Sequence, residues 1–240
     1  ASLLQGGVVL GTYCKHDLPN YDVFDEQRYF TPDNRPLVFE LNGTSFGINI
    51  CEDTWFSYTP ECAKSAGAEV LLVPNGSPFH LGKQQQRFDT LRANVTRYRM
   101  PVVYANLVGG QDELVFDGGS FVLDGDGKLV ANAPYFEESM LLVNFIDGVP
   151  QPSPVIAEPG EEAIAYSALV LGVRDYLGKN GFPSAIIGLS GGVDSALTLA
   201  IAVDALGAER VRAVMMPSQF TLPMSLDDAQ QMAQELGVRY

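Results

Sequence analysis

Residues 185–206 read AIIGLSGGVDSALTLAIAVDAL, and this stretch decides the fold of the second half of the chain. Its first five residues form an apolar run that predicts a buried strand, and Asp194 to Leu206 predicts a helix. The apolar run from Val211 to Met216 predicts another strand. A strand, a helix and a second strand in this order predict a βαβ unit with parallel strands, an arrangement typical of nucleotide-binding proteins.

The turn between that strand and that helix, Ser190 to Ser195, has the composition of a phosphate-binding loop. Its two glycines let backbone N–H groups face a phosphate, and the helix N-terminus adds a positive dipole end. Asp194 can hold a magnesium ion that bridges phosphate oxygens. The loop lacks the lysine of the GxxxxGK[ST] pattern, so it is not a Walker A loop. The alternative is a glycine-rich turn without a ligand, but the complete S-G-G-x-D-S string between strand and helix favours phosphate binding.

The first half of the chain alternates apolar runs with loops and one clear helical stretch. A helix is predicted from Lys83 to Arg99, a segment that contains neither Gly nor Pro. Two strands are predicted on either side of a turn at Gly6-Gly7. The alternation of strand, helix and strand indicates an α/β layered fold. Buried strands are predicted at Phe46 to Ile50, Val70 to Pro74, Val102 to Asn106 and Gly119 to Leu123.

Prolines mark the boundary between the two halves. Residues 148–160 contain four prolines, a composition that suits an extended linker. Apolar residues at helical spacing from Tyr166 to Leu177 predict a helix near the start of the second domain. We therefore predict a first domain over residues 1–147, a linker over 148–160 and a second domain over 161–240. The chain starts without a methionine and inside an expected strand, so we expect both of its ends to be internal to a longer protein.

Composition excludes several classes of protein. The chain has 15 basic and 29 acidic residues, a net charge of −14, which disfavours binding to nucleic acid. It contains no apolar run near the roughly 18 residues of a membrane span and no signal peptide, so we expect a cytoplasmic protein. Three cysteines are too few for a disulfide scaffold or a zinc site and are expected to be free thiols. With 46% hydrophobic and 18% charged residues, the chain is not disordered.

Cys51 follows a predicted buried strand and precedes two carboxylates. A lone cysteine in this position is most often a buried, inert thiol. A nucleophilic cysteine needs a base or a cation that favours the thiolate. The chain has only two histidines, His16 and His80, and Lys15 is a further candidate because an ammonium lowers the pKa of a nearby thiol.

These segments resemble those of a known family. Residues 188–197, GLSGGVDSAL, resemble the PP-loop of the ATP pyrophosphatases, which cleave ATP between the α and β phosphates while they adenylate a substrate. Residues 216–218 and 225–229 are similar to the stretch that follows this loop in NAD synthetases. Residues 15–26, KHDLPNYDVFDE, together with Cys-Glu-Asp at 51–53, resemble the glutaminase domain of glutamine-dependent NAD synthetases, a branch of the nitrilase superfamily. The resemblance spans essentially the whole chain.

The resemblance implies a fold and a reaction. The fold is a nitrilase-like α-β-β-α sandwich, the carbon–nitrogen hydrolase domain, followed by the first part of a parallel-sheet PP-loop domain of the adenine nucleotide α hydrolase-like type. The reaction is that of a ligase: ammonia released from glutamine amidates the adenylated carboxylate of nicotinic acid adenine dinucleotide, giving NAD, AMP and diphosphate. ATP is then a substrate and Mg²⁺ is its metal partner. We expect a homo-oligomer that binds neither nucleic acid nor membrane, as the net charge and the lack of a long apolar run indicate.

The resemblance also assigns residues. The family uses a Glu-Lys-Cys triad, so Cys51 would be the nucleophile and Lys15 the triad lysine. The triad glutamate lies upstream in the family, so we expect this chain alone not to hydrolyse glutamine. Glu26 would be a second glutamate near the site, or a surface carboxylate paired with Arg28. The matching glutamine-binding residues are Tyr21, Glu52, Ser77 and Lys83. The matching ATP-binding residues are Gly188, Leu189, Ser190, Gly191, Gly192, Val193, Asp194 and Ser195, with Asp194 also the metal ligand.

Two other interpretations stay open from the residues alone. One is a nitrilase-like amidase joined to a PP-loop synthetase that amidates a different carboxylate. The other is a binding module that holds ATP without completing any chemistry.

Overall fold

The computed structural model describes residues 1–240, which fold into two compact units. Unit 1 comprises Ala1–Val108 and Phe116–Glu158, and unit 2 comprises Gly109–Val115 and Pro159–Tyr240. The α/β fold class predicted from the sequence is confirmed. No helix combines the length and the apolar character that crossing a membrane requires.

The first 158 residues contain three helices, a 3-10 turn and twelve short strands. The helices are α1 (Glu26–Tyr29), α2 (Tyr58–Ser65) and α3 (Lys83–Tyr98), and the 3-10 turn spans Cys51–Thr54. The strands are β1 (Ser2–Gln5), β2 (Val8–Thr12), β3 (Leu37–Leu41), β4 (Thr44–Ile48), β5 (Val70–Asn75), β6 (Val102–Asn106), β7 (Val108–Gln111), β8 (Leu114–Asp117), β9 (Phe121–Leu123), β10 (Leu129–Asn132), β11 (Phe145–Ile146) and β12 (Val149–Pro150).

Six of these strands form the main sheet of unit 1, in the order β10-β9-β6-β5-β4-β3. Strands β4, β5 and β6 run parallel to one another, and the flanking pairs are antiparallel. In this register Ile48 lies opposite Leu72, and Asn75 lies opposite Asn106. Carboxyl ends of parallel strands share one edge of a sheet, where α/β proteins usually place their sites. The segments that follow β4, β5 and β6 therefore converge.

The apolar side chains of the sheet divide between its two faces because successive residues of a strand point in opposite directions. Phe121 and Leu123 pack with α2 and α3, whereas Val122 packs in a separate cluster with Val130 and Ala131. Of the four layers of the predicted sandwich, unit 1 thus contains one helix layer and one large sheet.

The hairpin of β1 and β2 turns at Gly6-Gly7, as the sequence predicts, with Gln5 opposite Val8. The predicted linker begins as a strand, because β12 pairs with β11. The residues up to Glu158 belong to unit 1: the Ser153 N–H donates to the Val130 carbonyl at 2.8 Å, and the Asn132 side chain bonds both the N–H and the carbonyl of Ile156. The boundary of the linker stays a prediction.

Unit 2 contains α4 (Glu161–Lys179), β13 (Ala185–Gly188), α5 (Val193–Leu206), β14 (Val211–Val214) and α6 (Pro223–Glu235). Strands β13 and β14 are parallel, in register from the Ala185–Val211 pair onward, which confirms the predicted βαβ unit. Leu199 of α5 and Ala229 of α6 are both fully buried in its core. Replacing a buried leucine by alanine costs about 2–5 kcal/mol, so this packing helps to hold α5 in place.

Unit 2 also includes the tip of the β7–β8 hairpin, which lies on α4. The Gly110 N–H donates to Asp175 Oδ2 at 2.8 Å, and Lys179 Nζ donates to the Gly110 carbonyl at 2.7 Å. A Cβ atom at Gly110 would lie 3.1 Å from the Cα atom of Gly172. Glycine at both positions is what lets the two backbones approach this closely.

Candidate functional site

Cys51 lies in a tight turn directly after β4. Its φ angle is +44°, in the left-handed region that residues other than glycine seldom adopt. The turn is closed by the Asp53 N–H, which donates to the Ile50 carbonyl at 3.0 Å, and by Thr54 Oγ1, which donates to the Cys51 carbonyl at 2.9 Å. Backbone strain of this kind persists only where surrounding contacts fix it, and it is concentrated at functional sites.

The groups around the Cys51 thiol include some that raise its pKa and some that lower it. Burial raises the pKa of Cys51 above its ordinary value, and the carboxylates of Glu52 and Glu26 raise it further. The Lys15 ammonium and a hydrogen bond from the Gly76 backbone lower it. Burial prevails, so in the protein without ligand the sulfur is held as a thiol with a cation and a backbone N–H nearby.

Lys15 is fixed by Glu26. Lys15 Nζ lies 2.8 Å from Glu26 Oε1 and 2.7 Å from Oε2, and the two side chains are only 10% and 25% exposed. Arg28 pairs instead with Asp25, at 2.8 Å between Nε and Oδ2. Of the two interpretations of Glu26, the structure therefore contradicts the surface pair with Arg28. The carboxylate of Glu26 thus fixes the position of the Lys15 ammonium.

Tyr21 is bonded to Glu52, the residue that follows Cys51 in this turn. Tyr21 Oη donates to Glu52 Oε1 at 2.7 Å, and both residues line a cavity of about 630 Å³ together with His16, Asp17 and Phe56. Burial and the hydrogen bond to Glu52 raise the pKa of Tyr21, so its hydroxyl remains a donor at neutral pH. The second Glu52 oxygen is left to accept a hydrogen bond from a ligand, which suits an ammonium group.

Ser77 lies in the segment that follows β5 and is 3% exposed. Its hydroxyl accepts a hydrogen bond from Arg87 Nε at 3.2 Å, and its carbonyl accepts one from Arg87 Nη2 at 2.9 Å. Because a guanidinium can only donate, the Ser77 hydroxyl accepts there and keeps its own hydrogen for another acceptor.

Lys83 begins α3 and places its ammonium 4.3 Å from the centroid of the Trp55 ring. Burial lowers the pKa of Lys83 and the charge of Arg87 lowers it further, whereas Glu52 and Cys51 act in the opposite direction. The Lys83 ammonium is therefore close enough to interact electrostatically with both Cys51 and Glu52. The structure thus brings Cys51, Lys15, Tyr21, Glu52, Ser77 and Lys83 to one edge of the sheet.

The phosphate-loop candidate lies between β13 and α5 in unit 2. Ser190 Oγ and Ser195 Oγ are 3.0 Å apart, and the Ser190 N–H donates to Ser195 Oγ at 3.1 Å. Gly191 has a φ angle of +80°, and a side chain there would overlap the backbone of Ser225. Glycine at this position therefore serves both the turn and the close approach of the first turn of α6.

A cavity of about 360 Å³ opens beside this loop, lined by Leu189, Gly191, Gly192 and Val193 with Asp228 and Gln231 of α6. Ser190, Asp194 and Ser195 do not line it. Gly192 caps α5, and Asp194 lies exposed in the first helical turn without a side-chain capping bond. The structure thus separates the glycines, which face the cavity, from the aspartate beside them.

The chain contains no group of three His, Cys, Asp or Glu side chains that could hold a metal by themselves. Magnesium that accompanies a nucleotide commonly uses one or two carboxylates, with phosphate oxygens and water as its remaining ligands. The exposed carboxylate of Asp194, in the loop itself, and that of Asp228, on the lining of the cavity, are both of the kind that this smaller role needs.

Sequence reasoning missed three buried residues that hold the site in place. Arg87 and Asp117 form a buried ion pair next to Ser77, and Asp53 bonds the Lys15 segment. One signal for Arg87 was available, because it shares a helical face with Leu91 and Val95, where an arginine is unexpected. Asp53 belongs to the Cys-Glu-Asp string at 51–53, but nothing in that string indicates its bonds to the Lys15 segment, and Asp117 carried no signal.

A strand-to-turn cysteine with a fixed lysine at the carboxyl edge of a mixed sheet suits nucleophilic attack on a carbonyl carbon, the chemistry that hydrolysis of a carbon–nitrogen bond requires. The family model described as carbon-nitrogen hydrolase matches residues 2–147, and the chain belongs to this family. The model described as NAD synthase matches residues 165–240. The resemblance stated from the sequence motifs is confirmed by both matches.

Two curated relatives match the chain over essentially its whole length. A protein of Acinetobacter baylyi named glutamine-dependent NAD(+) synthetase is 46% identical over 242 residues, which covers 100% of this chain and 45% of the relative. A protein of the same name from Thermotoga maritima is 39% identical, covering 99% of this chain and 48% of the relative. The chain therefore spans about half the length of the curated relatives that it matches.

Solved structures agree with this comparison. The glutamine-dependent NAD+ synthetase of Acinetobacter baumannii, in complex with ADP, superposes with a TM-score of 0.96 at 44% identity, covering 99% of this chain and 46% of that one. The enzyme of the same name from Cytophaga hutchinsonii superposes with a TM-score of 0.79 at 22% identity, which shows the fold alone.

Proposed function

We propose that the chain carries the glutamine-hydrolysing site and the ATP loop of a glutamine-dependent NAD synthetase. The observation that carries the proposal is the Cys51 turn, in which a strained cysteine lies beside a lysine held by Glu26. The S-G-G-x-D-S loop on a parallel βαβ unit of the same chain supports the second half of the proposal. Relatives that match the whole chain at 46% identity carry this name.

The first reaction releases ammonia from glutamine. The Cys51 sulfur attacks the carbon of the side-chain amide, and the carbon–nitrogen bond breaks as the thiol proton passes to the leaving nitrogen. The products are ammonia and a thioester of Cys51. Water then attacks the thioester, which gives glutamate and returns one proton to the sulfur. Lys15 stabilises the thiolate and the tetrahedral intermediate electrostatically.

Glu52, Tyr21, Ser77 and Lys83 bind the substrate in this proposal. Glu52 accepts hydrogen bonds from the α-ammonium group of glutamine, and Tyr21 holds Glu52 in place through the 2.7 Å bond. Lys83 and the free hydrogen of Ser77 serve the α-carboxylate as donors. The charges of these residues are complementary to those of a free amino acid, which disfavours substrates that carry only an amide.

The second reaction uses ATP to adenylate the carboxylate of nicotinic acid adenine dinucleotide, and ammonia then displaces AMP to give NAD. Residues 188–195 bind the phosphates in this proposal, through the backbone N–H groups of Gly191 and Gly192 and the hydroxyls of Ser190 and Ser195. Asp194 would hold Mg²⁺, which offsets the charge of the triphosphate when it is bound. The ADP complex of the Acinetobacter baumannii relative supports a nucleotide in this fold.

We also propose that the protein is a cytoplasmic homo-oligomer. Its proposed substrates are metabolites of the cytoplasm. The hairpin of β1 and β2 exposes Leu4, Val8, Val9 and Leu10 by 56–63%, an apolar surface of the kind that subunit interfaces cover. The mass of the native protein in solution tests the oligomer, and a monomer at micromolar concentration would contradict it.

The decisive experiment compares two nitrogen sources in the complete protein as it is encoded. Cys51→Ala should abolish NAD formation from glutamine and leave NAD formation from ammonium salts intact, because the thiol only releases nitrogen. Cys62→Ala, which alters a half-buried cysteine of α2, is the matched control and should retain both activities. Equal loss of both activities in the Cys51 variant would refute two separate sites. Amidation of a different carboxylate would identify another PP-loop synthetase.

A further inference from the structure

Asp53 is a buried carboxylate bonded by neutral donors on every side. Its side chain is 0% exposed. Oδ1 accepts hydrogen bonds from the backbone N–H groups of His16 and Asp17, both at 2.9 Å. Oδ2 accepts one from Tyr13 Oη at 2.7 Å and one from the Ile50 N–H at 2.8 Å. Four donors use the roughly four acceptor positions of a carboxylate, so the group has no capacity left for a ligand.

These donors come from the two segments that carry the proposed catalytic pair. Tyr13, His16 and Asp17 flank Lys15, whereas Ile50 directly precedes Cys51. The two segments are more than thirty residues apart in the chain, and Asp53 bonds both at once. The Tyr13 hydroxyl remains a donor, because burial raises its pKa and the Asp53 charge raises it further.

Asp53 also closes the Cys51 turn from both directions. Its backbone N–H donates to the Ile50 carbonyl at 3.0 Å, and its side chain accepts from the Ile50 N–H. This reciprocal pair encloses Cys51, whose φ angle of +44° needs such support. One residue thereby stabilises the strained nucleophile turn and fixes the backbone on both sides of Lys15.

We infer that Asp53 is a positioning residue, which places the Lys15 ammonium at the Cys51 sulfur by holding the segment 13–17 against the nucleophile turn. Asp53 does not touch the substrate in this inference, and its effect on the pKa of the Cys51 thiol is exerted through Lys15. The inference deepens the proposed function and rests on it for the roles of Lys15 and Cys51.

The test measures the pH dependence of Cys51 alkylation by iodoacetamide, followed by mass spectrometry of the peptide that contains Cys51. The charged groups around this thiol include Lys15, Lys83, Glu26 and Glu52, and the Tyr21 and Tyr104 hydroxyls also face it. The Asp53 carboxylate itself lies two residues further along the same turn. In Asp53→Asn the amide has a single acceptor oxygen, so two of the four donors lose their partner. Lys15 is then less well placed.

Asp53→Asn has two effects, which shift the pKa of the Cys51 thiol in opposite directions. Removal of a nearby negative charge by itself would lower the pKa of the thiol. Displacement of Lys15 would raise it, and we expect the midpoint of the alkylation profile to move up by about one pH unit. Tyr13→Phe removes one of the four donors and should move the midpoint in the same direction by less. A downward shift, or no shift, in a folded Asp53 variant overturns the inference.

Two further variants make the assignment specific. In a Lys15→Met background, Asp53→Asn should no longer raise the midpoint, because the residue through which it acts is absent. An upward shift of the same size in that background would overturn the inference. The matched control is Asp124→Asn, since Asp124 Oδ1 also accepts two backbone hydrogen bonds, from Asp126 and Lys128. It should leave the midpoint unchanged.

The result is independent of the proposed reaction, because iodoacetamide needs no glutamine. If Asp53→Asn fails to fold, as judged by thermal unfolding, Tyr13→Phe decides, and an unshifted Tyr13 variant then overturns the inference. A shifted midpoint in a complete protein that does not hydrolyse glutamine would refute the proposed function and support the positioning role. Unshifted midpoints with normal glutamine hydrolysis would refute only the positioning role.

Discussion

Arg87 and Asp117 form a two-bond ion pair inside unit 1, with Nη1 2.7 Å from Oδ2 and Nη2 2.9 Å from Oδ1. The Arg87 side chain is 0% exposed and that of Asp117 is 4% exposed. Arg87 also donates hydrogen bonds to the hydroxyl and the carbonyl oxygens of Ser77, and one to Gln84 Oε1 at 3.0 Å. The pair therefore joins α3, the end of β8 and the segment after β5 at the edge of the sheet where Cys51 lies.

Breaking this pair should destabilise unit 1 strongly. Asp117→Asn or Arg87→Met leaves one buried charge without its partner, at a cost of about 3–5 kcal/mol. Urea unfolding measures the loss. The double variant Arg87→Met/Asp117→Leu should be less destabilised than the sum of the single variants, since neither buried charge remains.

Arg35→Met, which breaks an exposed pair with Asp33, is the control and should change stability by under about 1 kcal/mol. Single variants as stable as that control would contradict the prediction.

The contrast between the main sheet and this pair shows what the sequence could predict. The runs at 70–74 and 102–106 were identifiable because each is short, apolar and bounded by breakers, and the register of β5 and β6 agrees with them. The partner of a charged side chain has no such periodic signal. The sequence left Glu26 compatible with a place near the site and with a surface pair to Arg28, and only the path of the chain after β2 decides between them.

The phosphate loop also combines local features, which the sequence predicts, with long-range contacts, which it does not. Its string of residues predicted the loop and the helix after it, because the glycines and the apolar flanks are local features. Which loop residues face the cavity depends on the approach of Ser225 and α6, more than thirty residues later. The exposed position of Asp194 was therefore not predictable from the motif.

Lys15→Met should reduce glutamine hydrolysis by about 10²-fold or more, on the scale of a lost oxyanion-hole donor. Methionine keeps the length of the side chain and removes the charge that opposes burial at Cys51. Steady-state release of glutamate by the complete protein measures the effect. Lys64→Met on α2 is the control and should have wild-type activity. If the Lys15 variant stays within about threefold of wild type, its ammonium does not act on the reaction.

Glu52→Gln should raise the KM for glutamine about 10- to 100-fold, because it removes a charge-assisted hydrogen bond worth about 1.5–3 kcal/mol. Tyr21→Phe should raise it less, since it removes only the bond that orients Glu52. NAD formation from ammonium salts should be unchanged in both variants. An unchanged KM for glutamine in the Glu52 variant would show that another residue binds the α-ammonium group.

The raised pKa of Cys51 predicts a loss of stability at alkaline pH. The folded protein holds this thiol protonated more strongly than the unfolded chain, where cysteine has a pKa of about 8.5. Its contribution to stability is complete below that value and is lost as the pH rises through the folded-state pKa. The urea midpoint should therefore fall more between pH 7.5 and pH 10 in wild type than in Cys51→Ala. Equal falls would mean that burial does not raise this pKa.

Asp194→Asn should weaken the binding of magnesium-ATP and leave the first site intact. The loop has no Walker lysine, so a triphosphate depends on backbone N–H groups, hydroxyls and a metal ion for charge balance. Asparagine keeps the shape of the side chain and removes the anionic ligand. Asp194 makes no capping bond, so the variant loses only the favourable charge in the first turn of α5, about 0.3–1 kcal/mol. It should therefore stay folded.

Titration calorimetry of the complete protein with ATP, with and without magnesium, measures this effect. Asp204→Asn, at the far end of the same helix, is the matched control and should bind magnesium-ATP as wild type does. Cys51 of the Asp194 variant should still be alkylated by an electrophile that mimics glutamine, because that chemistry needs no nucleotide. Undiminished, magnesium-dependent binding in the folded variant would show that other groups hold the metal. The carboxylate of Asp228, which lines the cavity beside the loop, would then be the next residue to replace.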